Sequence, residues 1–245
     1  TSTGSIDDLP AIASLCQRER LWFHIDGCIG AFLRLSPRHK ALVDGLDLAD
    51  SLALDPHKWL QTPFECGCAL VRNRRQLFET FNLHGAYLQV QDRGLAAAEF
   101  LGDYGFELSR GFKALKLWMS LREQGADAFG ALVDQHIDMA QTFAAHVCAD
   151  PRLELMAPVA INIVCFRYRG RGGSEDDLRA LNTEIMLRIQ ESGVAVPTDT
   201  TLNGRHSLRA AINNHRTRPE DLDRLLAEVL RHGAALQASF SKMVD

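Results

Sequence analysis

Hydrophobic and polar positions alternate between two periods along the chain, and the changes of period mark its elements. Asp7 and Asp8 precede Pro10 and apolar positions at Ile12, Leu15 and Cys16, which predicts a helix near 8–19 with an acidic cap and proline in its first turn. The run Leu21–Ile25 is short, aromatic and β-branched, as in a buried strand, and stops at Asp26-Gly27. A second strand is predicted over 50–55, leading into Pro56-His57-Lys58-Trp59, and a third over 67–72. Residues 82–110 show little periodicity, and a loop of that length in a compact domain is more often functional than idle. A helix over 112–124 stops at Gly125, and a long amphipathic helix follows, with Phe129, Leu132, Val133, His136, Ile137, Ala140, Phe143 and Val147 on one face.

Near Pro151 and Pro158 the pattern breaks and a new unit begins. Residues 161–168 read as a strand, 170–174 as a turn and 178–191 as a helix. Two strands, 194–200 and 207–212, flank Asn203-Gly204, a turn signal in a connection that reads as longer than a two-residue hairpin. Thr217 to Glu220 reads as a capping box before a last helix over 219–232. The expected organisation is residues 1–150 as part of a large α/β domain and 151–245 as a small α+β domain.

Composition narrows the function classes. The 245 residues carry 27 Lys and Arg against 31 Asp and Glu, a net charge of -4, which argues against nucleic acid or an anionic membrane as the main partner. No apolar run reaches the roughly 20 residues of a membrane span, and the first residues do not read as a secretory signal. The six cysteines read as reduced thiols in a cytoplasmic protein, and no metal-type C-x-x-C pair occurs, so no metal site is expected.

Two residues stand out chemically. Lys58, between His57 and Trp59 at a strand end, is expected to be partly desolvated, which would lower its pKa and free the amine to attack a carbonyl. A lone loop lysine is ordinarily solvated surface. Asp26, at the tip of another strand, is ordinarily a turn residue. Ligands bind at the carboxyl ends of strands in open α/β sheets, and together the two residues form the pair that pyridoxal 5'-phosphate requires: an amine for its aldehyde and an acid for its ring nitrogen.

The strings His24-Ile-Asp-Gly-Cys-Ile-Gly30, Ala49 to Leu60 (ADSLALDPHKWL) and Phe64-Glu-Cys-Gly67 closely resemble the group II pyridoxal-phosphate amino acid decarboxylases. The resemblance continues through Leu108 to Trp118 and Ile163 to Arg167, and the 32-residue spacing from Asp26 to Lys58 is similar to that of the aromatic amino acid branch. It implies the PLP-dependent transferase-like α/β fold (aspartate aminotransferase fold type I), here as a partial large domain plus the small C-terminal one. It also implies decarboxylation of an L-amino acid to its amine, in a homodimer. Lys58 then corresponds to the Schiff-base lysine and Asp26 to the partner of the pyridine nitrogen. His57 and Asp55 fall on the phosphate side, although the aromatic branch often has Asn at the position of Asp55. Cys28 stands where the family usually places a small alanine against the ring, and Thr1 matches a threonine near the site. Tyr87 corresponds to the loop tyrosine that protonates the α-carbon; read alone, it is a packed loop aromatic.

Other residues have plainer readings. His84 is solvated or touches substrate. Arg110 matches a basic family position near the partner subunit's phosphate, or forms an ordinary salt bridge. Gly170 to Gly173 reads as a linker rather than a phosphate cradle, and His136 as a packed core histidine. The resemblance also implies that the chain is the carboxyl-terminal half of an enzyme, with weak or no activity alone. A related PLP-dependent carbon–carbon lyase and a noncatalytic fragment remain alternatives. The substrate side chain is not legible.

Overall fold

Asp8 caps the first helix, α1 (Leu9–Glu19), by accepting a 3.1 Å bond from the Ala11 N–H, and Arg20 closes it in the left-handed conformation. The computed structural model describes residues 1–82, 91–94 and 97–241. Strand β1 covers His24–Asp26, short stretches of 3-10 helix lead to β2 (Ser51–Leu54), and β3 (Cys68–Val71) follows. Helices α2 (Arg74–Phe81), α3 (Lys113–Gln124) and α4 (Ala126–Ala149) follow, then β4 (Leu153–Leu155), β5 (Ile163–Tyr168), α5 (Glu175–Glu191), β6 (Thr198–Leu202), β7 (Arg205–Ala211) and α6 (Pro219–Ser241). Among the described residues, no helix is long and apolar enough to cross a membrane.

The chain divides into two compact units. One comprises 8–32 and 43–126, and its sheet has the order β1-β2-β3, with β1 parallel to β2 and β3 antiparallel. Leu9, Phe23, Ile25 and Ala49 form its small core, against which Ile12, Cys16 and Leu52 pack. Strand β1 is shorter than predicted because Leu21 and Trp22 are exposed, and the Trp22 indole N–H is spent on Ser51 Oγ at 2.8 Å. Helix α2 was not predicted. It buries no side chain, so it lacks the apolar stripe that betrays a helix, and its start is set by Asn73 accepting from the Arg75 N–H at 3.0 Å.

The second unit comprises 1–7, 33–42 and 127–245, so α4 groups with the residues after 150, whereas the sequence places that boundary at 150. Its antiparallel sheet has the order β4-β5-β7-β6. Met139, Phe143 and Val147 of α4 join Val164 and Phe166 of β5, Ile185 and Ile189 of α5, Leu208 of β7 and Val229 of α6 in one core. Phe143 meets Phe166 edge-on, with ring centroids 5.1 Å apart.

Local chemistry explains the departures from prediction here. Strand β6 starts after Pro197, which has no N–H for a ladder, rather than at 194. Leu202 pairs directly with Arg205, so Asn203-Gly204 is a two-residue hairpin turn after all; φ values of 50° and 80° give the positive pair that a type I′ turn requires. The capping box lies elsewhere than expected. Ser174 and Asp177 exchange bonds at the start of α5, while at α6 the Arg218 N–H is taken by Asp221. Strand β4 was too short to read as an element.

This unit carries groups that make it acid-sensitive. Arg167, 3% exposed, bonds Glu154 at 2.8 Å and Glu175 at 2.7 Å. Burial works to raise the Glu154 pKa, but hydrogen bonds from Arg205 and Arg167 outweigh it and the net shift is downward. His136 packs with no exposure, its Nε2 3.2 Å from the Asn214 carbonyl, and burial pushes its pKa down, so it is the packed core histidine expected. Both shifts have one sign: each group binds protons more readily in the unfolded chain. The His136 contribution is present above the ordinary imidazole value of about 6.5 and is lost as pH falls below it; the Glu154 contribution is lost on falling through the ordinary carboxylate range. Thermal melts followed by circular dichroism should therefore show Tm decreasing in two stages between about pH 7 and about pH 3. A Tm that rises over that interval would contradict the assignment.

Candidate active site

The parallel pairing of β1 and β2 brings two strand ends of like direction side by side. His24, Ile25 and Asp26 stand opposite Ser51, Leu52 and Ala53. The segments beyond the strands stay knitted together, with Gly27 N–H bonded to Ala53 O at 3.0 Å and Asp55 N–H to Cys28 O at 3.3 Å. Only glycine fits after Asp26: a Cβ on Gly27 would lie 2.7 Å from Ala31 Cβ and 2.8 Å from Leu52 Cδ1. Neighbouring strands lie about 4.8 Å apart, so side chains leaving these two ends share one crevice.

Asp26 is held as a carboxylate. Its Oδ1 accepts the Cys28 N–H at 3.2 Å, and this bond is the main cause of its lowered pKa. Burial opposes the shift, and the Cys28 thiol and the charges of Lys58 and His24 add to it. Lys58 and Asp26 share a neighbour, since the Cys28 thiol contacts the amine while the Cys28 N–H is bonded to the acid.

Lys58 follows β2 by one turn, its N–H bonded to Asp55 O at 2.9 Å and its Nζ 2.7 Å from Asp55 Oδ2. The hydrogen bond that Lys58 donates to Asp55 raises its pKa; burial works the other way, and contacts with the Cys28 thiol add to the rise. The expected depression by desolvation is therefore wrong for this chain: the side chain is 37% exposed, and an adjacent acid outweighs a modest burial. Trp59 and Leu60 are buried and anchor the turn that bears the amine.

His57 is fixed by the segment before β3. Its Nδ1 accepts the Cys66 N–H at 3.1 Å, its own N–H bonds Cys66 O at 3.4 Å, and its ring meets Phe64 edge-on at 4.9 Å. With Nδ1 accepting, the ring proton belongs on Nε2, which makes that atom a donor. Asp55, His57, Lys58, Cys28 and Asp26 are thus brought together. Thr1 is exposed and belongs to the other unit, where Ser2 O accepts the Arg209 Nε–H at 2.8 Å. Tyr87 and His84 lie outside the described residues.

Within this chain Arg110 bonds backbone rather than an acidic side chain. Its guanidinium donates to the carbonyls of Leu101 at 3.3 Å and Glu107 at 3.0 Å. Four contributors went unrecognised in the sequence. Gln61 donates to Lys58 O at 2.6 Å, Lys113 pairs with Glu65 at 2.6 Å, and Lys116 donates to the carbonyls of Pro63 at 2.9 Å and Glu65 at 2.6 Å. The only signal was Lys113-x-x-Lys116, which puts two ammonium groups on one face at the start of a helix.

The donor set fits pyridoxal 5'-phosphate: an amine for the aldehyde, an ionised carboxylate for the protonated ring nitrogen and an imidazole donor for an anionic group. Comparison with known proteins agrees. The chain is 34% identical over 230 residues to the aromatic-L-amino-acid decarboxylase of Bacillus atrophaeus, covering 94% of this chain and 48% of that protein. It is 29% identical over 223 residues to tryptophan decarboxylase 2 of Oryza sativa subsp. japonica, covering 91% and 45%. The crystal structure of Oryza sativa TDC with PLP and tryptamine superposes with a TM-score of 0.87 at 27% identity, covering 96% of this chain and 49% of that one. The chain spans about half the length of the curated relatives it matches. The family profile described as the pyridoxal-dependent decarboxylase conserved domain matches residues 1–169, and with the fold and the paired strand ends in place, the chain belongs to that family.

Proposed function

We propose that this chain supplies the cofactor-bearing half of a pyridoxal 5'-phosphate-dependent decarboxylase that converts an L-amino acid to its amine and carbon dioxide. The observation that carries this reading is the convergence of the Lys58 amine and the Asp26 carboxylate at adjacent parallel strand ends. The names of the relatives make aromatic amino acids the first substrates to test.

When bound, the cofactor supplies a conjugated ring that accepts the electron pair released as carbon dioxide departs. The chain's own residues do the rest. Asp26, kept ionised by the Cys28 N–H, holds a proton at the pyridine nitrogen. The Lys58 ammonium must lose a proton before Nζ can attack a carbonyl, and Asp55 Oδ2, 2.7 Å away, is the neighbouring acceptor. His57 would donate from Nε2 to the phosphate, with Asp55 bordering that side and Cys28 against the ring. Tyr87 returns a proton to the substrate's α-carbon. The whole protein works as a homodimer in the cytoplasm, a compartment consistent with six free cysteines.

The test is to incubate the full-length protein with pyridoxal 5'-phosphate and a panel of L-amino acids, measuring amine, aldehyde, ammonia and carbon dioxide. Equal yields of amine and carbon dioxide from an aromatic amino acid are expected. Aldehyde and ammonia in place of the amine would overturn the role given to Tyr87, and no carbon dioxide from any amino acid would overturn the reaction.

A further inference from the structure

The start of α3 breaks the rules for a helix N-terminus. Its N-cap, Phe112, offers no side-chain acceptor, its first turn has no acid, and Lys113 and Lys116 place two positive charges where the helix dipole disfavours them. Locally unfavourable choices of this kind mark positions where tertiary contacts decide the residue. Those contacts all fall on one segment. Lys116 Nζ donates to Pro63 O at 2.9 Å and Glu65 O at 2.6 Å, Lys113 Nζ pairs with Glu65 Oε1 at 2.6 Å, and the Cys66 thiol leans on Lys113 O at 3.8 Å. Lys113 and Lys116 lie one turn apart, so both ammonium groups reach the same stretch of backbone.

Residues 63–66 are also the segment that holds His57. The Cys66 N–H bonds His57 Nδ1 at 3.1 Å, Cys66 O accepts the His57 N–H at 3.4 Å, and the Phe64 ring lies edge-on to the imidazole at 4.9 Å. A direct chain of contacts therefore runs from the two lysines through the segment to the residue before Lys58. We propose that Lys113 and Lys116 are positioning residues that clasp residues 63–66 and, by presenting the Cys66 N–H to Nδ1, hold His57 as the Nε2–H tautomer beside the Lys58 amine. This assigns α3 a part in the site, with Lys116 the stronger member because it binds two backbone carbonyls rather than one mobile carboxylate. The usefulness of the fixed donor for an anionic cofactor group rests on the proposed function; the clasp itself does not.

The test uses the full-length protein labelled with 15N-histidine, with His57→Gln serving to assign the His57 resonances. Nitrogen chemical shifts without cofactor should show His57 predominantly as the Nε2–H form. In the Lys113→Met/Lys116→Met variant, that preference should fall about tenfold, the scale of one lost hydrogen bond. Lys116→Arg, which keeps a donor on the carbonyls, should restore it. Exposed pairs of this kind contribute little to stability, so the double variant is expected to fold. If it does not, Lys116→Met alone, which removes the donor and leaves the Lys113–Glu65 pair, is read in the same way. An unchanged tautomer in a folded variant overturns the proposal, as does a wild-type chain with the proton on Nδ1. A second reading follows cofactor absorbance of the full-length protein with pyridoxal 5'-phosphate: a tautomer that responds in a full-length protein that fails to bind the cofactor sustains the clasp while the proposed function falls.

Discussion

Replacing Lys58 with alanine is expected to abolish covalent retention of pyridoxal 5'-phosphate. After incubation and borohydride reduction, intact-mass analysis should find the cofactor's added mass on the wild-type protein, mapped to Lys58, and none at that position in the variant. Lys58 is the amine that follows β2, on a turn anchored by the buried Trp59 and Leu60. Turnover should fall by about 10³-fold or more, the scale of losing a covalent catalytic group. Folding should survive, because Asp55 loses its partner at a site that is still partly hydrated. An equal yield of adduct on the variant would falsify the assignment of the amine.

Asp26→Asn separates holding the cofactor from using it. The amide keeps the shape of the carboxylate and can still accept from the Cys28 N–H, but it carries no charge with which to retain a proton at the ring nitrogen. Reductive labelling of Lys58 should therefore persist while turnover falls by about 10²- to 10³-fold, the usual consequence of deleting one preorganised electrostatic partner. Turnover within about threefold of wild type would remove Asp26 from the reaction.

Much of this site is legible in the sequence because it is built from local strings. An acid ending one short strand and a lysine one turn beyond another are each visible as punctuation, and the resemblance joins them. The state of the amine is not legible. Whether the acid three residues earlier folds back onto Lys58 depends on the turn that Gln61 and the buried Trp59 complete, and the outcome reversed the expected pKa direction. The α3 lysines were invisible for another reason: they act across about fifty positions of sequence through backbone carbonyls, which have no signature of their own. In the fold, the long helices with apolar stripes were clear, whereas α2 and β4 were not, one having no buried face and the other only three residues. The Asn203-Gly204 turn is a tighter connection than the sequence suggests, because the ladder extends to Leu202 and Arg205 on either side of it.

The pairing of Asp26 with Ala53 makes tolerance of length changes very uneven along this chain. One residue added within 51–54 would carry the amine forward by about 3.3 Å and turn it toward the opposite face of the sheet; two would restore the face but leave it about 6.6 Å astray. At the tip of the β6–β7 hairpin, the same additions displace nothing that the reaction uses. Indels among homologous chains should therefore gather at such tips and spare the short stretch from β2 to the lysine, making that stretch a ruler rather than a mere connector.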